Sequence, residues 1–362
     1  MIQLLDTTAL RVEYDEDQRV LQASGALALL VQPALNKMAR WLAEEKPALV
    51  RENDIIATTW LPPIPSGPFR RLILSEARIA IGRFVPQTVS IEVTKKGGCY
   101  PESVSDGELG KEDIIKVIDQ ALDMGTCIIT FSEGDPLLRE DVLDLIRHVD
   151  PKKAVVNVFT RGLAMTPEMA RNLKAAGLYN LLVGVYSVEP PHHDQVRGMA
   201  GAHQKAIEAI KMGLDADLLV TMSTHAVGGQ VPQLLDLYDY AAELGVHEFS
   251  IWEGDPNTPQ EVLTQIDKEK IVRFYKNING TPGGPRVFAN TYFEGEMVGP
   301  LAGRRWLHVD ADGNVRPSPY VQESYGNVQD DSLMDAWSRM RRSKKFEGPG
   351  SAAPDAPGST KY

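Results

Sequence analysis

The chain has 362 residues, with 38 Lys plus Arg against 49 Asp plus Glu for a formal charge of −11. Its 43% hydrophobic and 24% charged residues are ordinary for a globular protein. The acidic balance argues against broad nucleic-acid binding, which needs a basic face, and no run of about 18 apolar residues offers a membrane span. Two cysteines exclude a disulfide scaffold and any site that needs three or four thiolates from this chain. The start has no cationic stretch followed by an apolar one, so no secretory signal is read there and a cytoplasmic location is expected.

In chain order, residues 1–86 form a mixed lead-in or cap. Helical apolar spacing runs over 21–46, a Pro- and Gly-rich linker or covering loop over 58–68, and a short amphipathic helix or irregular segment over 70–84. From residue 87 the pattern changes to strand–helix repeats. Strands are predicted at 88–94, 127–131, 154–160, 181–187, 218–226 and 247–253, and helices between them at 111–125, 138–149, 167–177, 203–215 and 231–245. Continuous apolar strands of this kind imply a parallel sheet covered by helices. In sequential order with right-handed crossovers they build a partial (β/α)6 TIM-type barrel over 87–258. The competing doubly wound sheet lacks the G-x-G-x-x-G fingerprint after its first strand. A small α+β extension is expected over 259–346, with a hairpin at 304–320 turning at Asp312-Gly313 and a basic helix at 332–346. A flexible tail is expected over 347–362.

Working groups of such a barrel sit at the C-terminal ends of its strands. Those ends carry Thr94 to Tyr100, Ser132 to Pro136, Thr160 to Gly162, Tyr186 and Ser187, then Thr221 to His225, and Trp252-Glu253. This polar rim suits a polar small molecule, although Ser, Asp and Gly also serve there as caps and turns. No local nucleophile signature surrounds Ser187 or Ser223. His225, His247 and His308 are isolated in sequence. The run Arg339, Arg341, Arg342, Lys344, Lys345 reads as a solvated helix face.

The order of motifs resembles the radical S-adenosylmethionine (radical SAM) superfamily over roughly 87–345. VSIEVT at 89–94 is similar to the strand before the family's cluster loop, and ITFSEGDPLLRED at 129–141 to its GGEP stretch. VYSVEPPHHDQVRG at 185–198 is similar to the fourth-strand S-x-D…H-D-x-x-R-G segment, where His192-His193-Asp194 would fix a loop by hydrogen bonds. The segment DADGNVRPSPY…YGNVQDDSLMDAW resembles the extension known as SPASM or twitch. The resemblance implies an S-adenosylmethionine site drawn from Glu133, Gly134, Asp135, Pro136, Thr160, Ser187 and Arg197, with Glu133 to Pro136 toward the amino group and Ser187 toward the carboxylate.

The family holds a [4Fe–4S] cluster through C-x-x-x-C-x-x-C after strand one. Here the loop is KKGGCYPES and Cys99 is its single cysteine, so Cys99 is the one metal-ligand candidate. Cys127 opens the second strand at the opposite end of the barrel, on the order of 15 Å from the loop at about 3.3 Å per strand residue, and reads as a buried apolar residue. In the extension, the position of the family's auxiliary-cluster cysteine is Ser318. Loss at two separate sites implies a degenerate member without a [4Fe–4S] cluster, a pseudoenzyme serving as a binding or scaffold partner with at most a residual S-adenosylmethionine pocket. Its expected partner is an active paralogue or a peptide substrate. The alternatives are an active radical SAM enzyme modifying a peptide or small molecule, and a non-radical S-adenosylmethionine-dependent transferase. The catalytic residues are not legible under any of the three.

Overall fold

The computed structural model describes residues 2–15, 20–97, 107–229, 231–254, 258, 261–297, 300–343 and 345. The loop cysteine, Cys99, and the tail from 346 lie outside them.

The lead-in opens with an antiparallel meander, β1 (Ile2–Asp6), β2 (Arg11–Asp15) and β3 (Val20–Ser24). It continues with α1 (Ala28–Glu44), the short pair β4 (Leu49–Val50) and β5 (Ile55–Ile56), and α2 (Gly67–Ala80). The helical reading of 21–46 therefore holds only from residue 28. Leu21 to Ser24 pair with β2, and Leu21 is fully buried by that pairing. Local periodicity cannot see a cross-strand partner, and tertiary pairing overrides it.

The main sheet follows the expected alternation. Its strands are β6 (Thr88–Ile91), β7 (Ile128–Phe131), β8 (Val155–Thr160), β9 (Asn180–Gly184), β10 (Leu219–Ala226) and β11 (Glu248–Glu253). Every neighbouring pair among these six is parallel. Helices α3 (Lys111–Met124), α4 (Val142–His148), α5 (Pro167–Ala176), α6 (Pro190–Arg197), α7 (Ala202–Asp215) and α8 (Gln233–Leu244) link them. Local chemistry sets their ends: the Thr166 hydroxyl accepts from Met169 N ahead of Pro167, and Gly177 closes α5 in the left-handed region.

Two further strands join this sheet. After α9 (Gln265–Asn279), β12 (Arg286–Ala289) adds parallel to β11. The short α10 (Asn290–Tyr292) and a π-helical turn lead on to β13 (Trp306–Val309), which adds parallel to β6 and turns at Gly313 into β14 (Val315–Arg316). The resulting order is β12-β11-β10-β9-β8-β7-β6-β13-β14, a partial barrel with helices packed around it. The hairpin around Asp312-Gly313 forms as expected, and its first strand is an edge of the barrel sheet itself. Helix α11 (Leu333–Arg342) lies against α3.

The core has two centres. The larger lies between the sheet and α3–α8. The smaller is made by the lead-in against the N-terminal ends of the barrel strands and includes Cys127, Ile128, Phe288 and Phe293. A polar bolt joins the two. Thr59, in the Pro-rich loop, directs its backbone N–H and hydroxyl at the fully buried Glu248 carboxylate and meets Thr221 Oγ1 at 3.2 Å. Arg286, 2% exposed, reaches Glu45, donates to Tyr275 OH at 3.0 Å and lies 3.8 Å from Glu248. The 58–68 segment is thus a plug in the floor of the barrel.

Candidate functional site

Inside the barrel lies a cavity of about 1,040 Å³, at the upper end of small-ligand sites. Its floor is aromatic. Trp60, carried in by the plug, sits 4.7 Å from Trp252, 5.4 Å from Phe288 and 5.8 Å from Phe159, centroid to centroid. Its middle is hydroxylated, with Ser90, Thr130, Ser132 and Ser223 pointing inward from alternate strand positions. Its mouth is charged, with Glu92, Glu133, Arg161, Arg197, Asp310 and Asp312 on the wall.

Four of the seven residues assigned by resemblance to S-adenosylmethionine, namely Glu133, Gly134, Thr160 and Arg197, line this cavity, and Asp135, Pro136 and Ser187 do not. Asp135 is fully buried and committed to the backbone. Its carboxylate accepts from Thr160 Oγ1 at 2.7 Å, Leu137 N at 3.2 Å, Arg161 N at 3.3 Å and Leu163 N at 3.4 Å. Pro136 begins a buried 3-10 turn. The Ser187 hydroxyl accepts from Glu189 N at 3.1 Å, the work of a cap. Arg197 lies over the Tyr186 ring, 4.3 Å from its centroid. His193 Nδ1 accepts from Tyr186 N at 3.1 Å, while Asp194 receives Gly201 N and His203 N, so this segment holds its loop by hydrogen bonds.

Glu133 is a different case. It sits at φ 61°, in the left-handed region, with Gly134 at φ 51° beside it. A side chain at 134 is impossible, since a Cβ there would stand 2.1 Å from Thr94 O. At 133 the chain bears the strain of a non-glycine residue, of order 1 kcal/mol or more, and sends a carboxyl into the cavity. More than a third of the residue is exposed, and its carboxyl lies on the cavity wall near Glu92 and Arg161. Removal from bulk water, reinforced by the nearby Glu92, pushes its pKa up to about 7 against the pull of Arg161.

The described start of the cluster loop, Thr94 to Gly97, is held by its neighbours. Thr94 Oγ1 and Lys95 N both donate to Glu108, Asp135 N donates to Lys96 O at 2.7 Å, and Gly97 packs on Asp135 and Leu138. Lys95 crosses to Asp312 at 2.6 Å. The donor set does not fit a [4Fe–4S] cluster, which takes thiolates for its irons. The chain has two cysteines. Cys127 is fully buried just before β7, its thiol donates weakly to Gln87 O at 3.5 Å, and burial pushes its pKa up to about 12. Ser318 is buried beside the hairpin, a neutral hydroxyl where a thiolate would be needed. Among the described residues no group of three or more His, Cys, Asp or Glu is arranged to hold a metal ion.

One pair escaped sequence reasoning. Ser90 Oγ and His308 Nδ1 lie 2.9 Å apart on the paired strands β6 and β13, and Trp306 Nε1 donates to Ser90 Oγ at 2.8 Å. Their separation of 218 in the chain left no local signal. Burial, with Arg316 adding repulsion, lowers His308 to about 3, so the imidazole stays neutral and is a weak base. His308 titrates near 6.5 when exposed, so its contribution to stability is full above that pH and is lost as pH falls toward 3. His193, lowered to about 4 by burial and Arg197, acts in the same direction. Glu133 and Glu294, both raised to about 7 chiefly by burial, act oppositely, because the fold takes up their protons first. Comparison with His308→Asn isolates the imidazole. Between pH 6.5 and 5 the wild type should lose about 1.5 kcal/mol more stability than the variant in urea titrations, and equal losses would show that His308 is not buried neutral.

Comparison with known proteins gives one consistent picture. The Radical SAM superfamily profile matches residues 98–241. The AdoMet-dependent heme synthase of Methanosarcina barkeri is 24% identical over 278 residues, covering 70% of this chain and 80% of that protein. The PqqA peptide cyclase of Granulibacter bethesdensis is 22% identical over 257 residues, covering 67% and 68%. Among solved structures, Streptococcus suis SuiB bound to precursor peptide SuiA superposes with a TM-score of 0.56 at 12% identity, over 74% of this chain and 70% of that one. Native anSMEcpe with bound AdoMet and Cp18Cys peptide superposes at 0.53 with 15% identity, over 72% and 81%. These likenesses carry the fold.

Proposed function

We propose, from the match of the Radical SAM superfamily profile to residues 98–241, that this chain is a member of that superfamily without an iron–sulfur cluster, one that binds ligands in its barrel and serves as a partner rather than as a source of radicals. The observation that carries this reading is the donor count. With Cys127 sealed in the core, Cys99 is the single cysteine left for a cluster that needs three. Reductive cleavage of a sulfonium needs a low-potential electron, which side chains do not supply. The Ser318 hydroxyl, where a thiolate would be needed, agrees with this.

S-adenosylmethionine has a place in this account only as a weak ligand. Asp135 and Ser187 are spent on the backbone, and the iron that would chelate the amino acid end has no ligand set. Glu133, Thr160 and Arg197 remain on the wall for it. Calorimetry of the iron-free protein with S-adenosylmethionine should give a dissociation constant weaker than micromolar, and sub-micromolar binding without iron would overturn the reading. A peptide is the class of macromolecular partner favoured, because the similar SuiB is seen with a precursor peptide and similar cyclases are named for the peptide PqqA. No helix among the described residues is long and apolar enough to cross a membrane.

A second reading rests on the names of the relatives, a synthase and a cyclase. It is a working radical enzyme whose missing thiolates come from another polypeptide, and an iron count separates it from the first.

A further inference from the structure

The cavity joins two features, one at its floor and one on the wall above it. The first is a bare aromatic floor. Trp60, Phe159 and Trp252 lie deep in the barrel, yet each is only half-buried, and the remaining surface faces the cavity. Phe288, 3% exposed, backs them at 5.3 Å from Trp252. Trp60 is held there from outside the barrel by the Thr59–Glu248 bolt.

The second feature is a pair of carboxyl groups on the wall, Glu133 and Glu92, without an ion-pair partner among the described residues. Glu133 makes no hydrogen bond or ion pair among the described residues, and Glu92 accepts only from Ala311 N, at 3.0 Å. Several cations of the wall are already engaged: Lys95 with Asp312, Arg316 with Asp310 and Arg305 with Glu76. Arg161 stands near enough to Glu133 to favour its charged form without pairing to it. Two nearly buried hydroxyls, Thr130 at 3% and Ser132 at 7% exposed, line the same wall with no partner for their oxygens. Strand register sets the spacing. Phe131 pairs with Val158 across β7 and β8, so Ser132 stands beside Phe159 at about one strand spacing, near 4.8 Å. Glu133 follows one residue above. Rings and carboxylates are therefore within the span of one small molecule.

We propose that this cavity binds an aromatic amine, with its ring on the Trp60–Phe159–Trp252 floor and its ammonium received by Glu133 and Glu92 beside the hydroxyls of Thr130 and Ser132. Rings stack on aromatic faces and cations are drawn to them, and a carboxylate shielded from bulk water gains more from an ammonium than a surface carboxylate does. The inference rests on the cavity being a binding site, as proposed above, but not on the absence of the cluster.

The test is calorimetry on the full chain with 2-phenylethylamine, 3-phenylpropionate and ethylamine. The amine bearing a ring should bind, and the other two should bind at least about tenfold more weakly, the loss expected for one charged contact or one stacked ring. Glu133→Gln, a cavity-facing change that disturbs no internal bond, should weaken 2-phenylethylamine about tenfold. Trp252→Leu should weaken it without strengthening ethylamine. A tripeptide with N-terminal Phe, titrated in parallel, tells whether the amine arrives as a free molecule or as a peptide end, and binding of either supports the proposal. Tighter binding of 3-phenylpropionate, no binding of either amine-bearing ring, or an unchanged affinity in Glu133→Gln overturns it. None of these outcomes alters the iron content, so the two proposals fail separately.

Discussion

Arg286→Met should destabilise the protein by about 3–5 kcal/mol, the cost of leaving a buried carboxylate without its cation. Arg286 is 2% exposed and Glu248 is fully buried. The guanidinium is also placed over the Trp41 ring, 4.6 Å from its centroid, and donates to Tyr275 OH and to Glu45 and Lys46 of the lead-in. Methionine keeps the stem volume and removes every one of these donors. Burial already raises the Glu248 carboxyl, with Arg286 and Thr59 opposing it. Without Arg286 the carboxyl is free to take up a proton, so the loss should be smaller at pH 5 than at pH 8. Adding Glu248→Gln to Arg286→Met should recover part of the stability. Urea unfolding of the three proteins at both pH values checks this, and a loss under about 1 kcal/mol, the range of exposed pairs, would show that the bolt between lead-in and barrel is not built as described.

Trp337→Ala should cost a comparable amount, about 3–5 kcal/mol for truncating a buried tryptophan. Trp337 is 3% exposed, packs in the core with Leu333, Ala336 and Met340, and donates its indole N–H to Phe84 O at 3.2 Å. It ties α11, which lies against α3, to the backbone at Phe84. Since β13 belongs to the main sheet, loosening α11 should not release the hairpin as a unit. Limited proteolysis should cut first between 321 and 345 while 304–316 stays protected. Early cleavage at β13 would instead mark the extension as an independent domain.

The barrel was legible because its strands are buried on both sides and so carry continuous apolar runs, with glycine or proline at the helix ends, as at Gly125, Gly177 and Gly245. What stayed hidden was non-local. β12 is four residues, Arg286–Ala289, too short to show a period and opened by a buried Arg. β1 to β3 and the role of β13 depend on partners distant in sequence. At the site, the strand-end rule located Lys95, Ser132, Glu133 and His225 on the cavity wall, and it passed over Glu92, which it left inside the strand. It could not tell that Asp135 and Ser187 are spent on their own backbone, since that depends on side-chain direction. Nor could it place Trp60 in the barrel, because a Pro-rich loop carries no sign of where it docks. Ser90 and His308 met only through the β6–β13 pairing.

The central claim is that this chain cannot assemble a [4Fe–4S] cluster from its own thiolates. The direct measurement is anaerobic reconstitution of the purified protein with iron and sulfide, followed by an iron count per chain and the thiolate-to-iron absorbance. The account predicts well under one iron per chain and no such band. A stoichiometry near about four, the content of one cluster, with Cys99→Ala abolishing it, would contradict the account and restore the working radical enzyme.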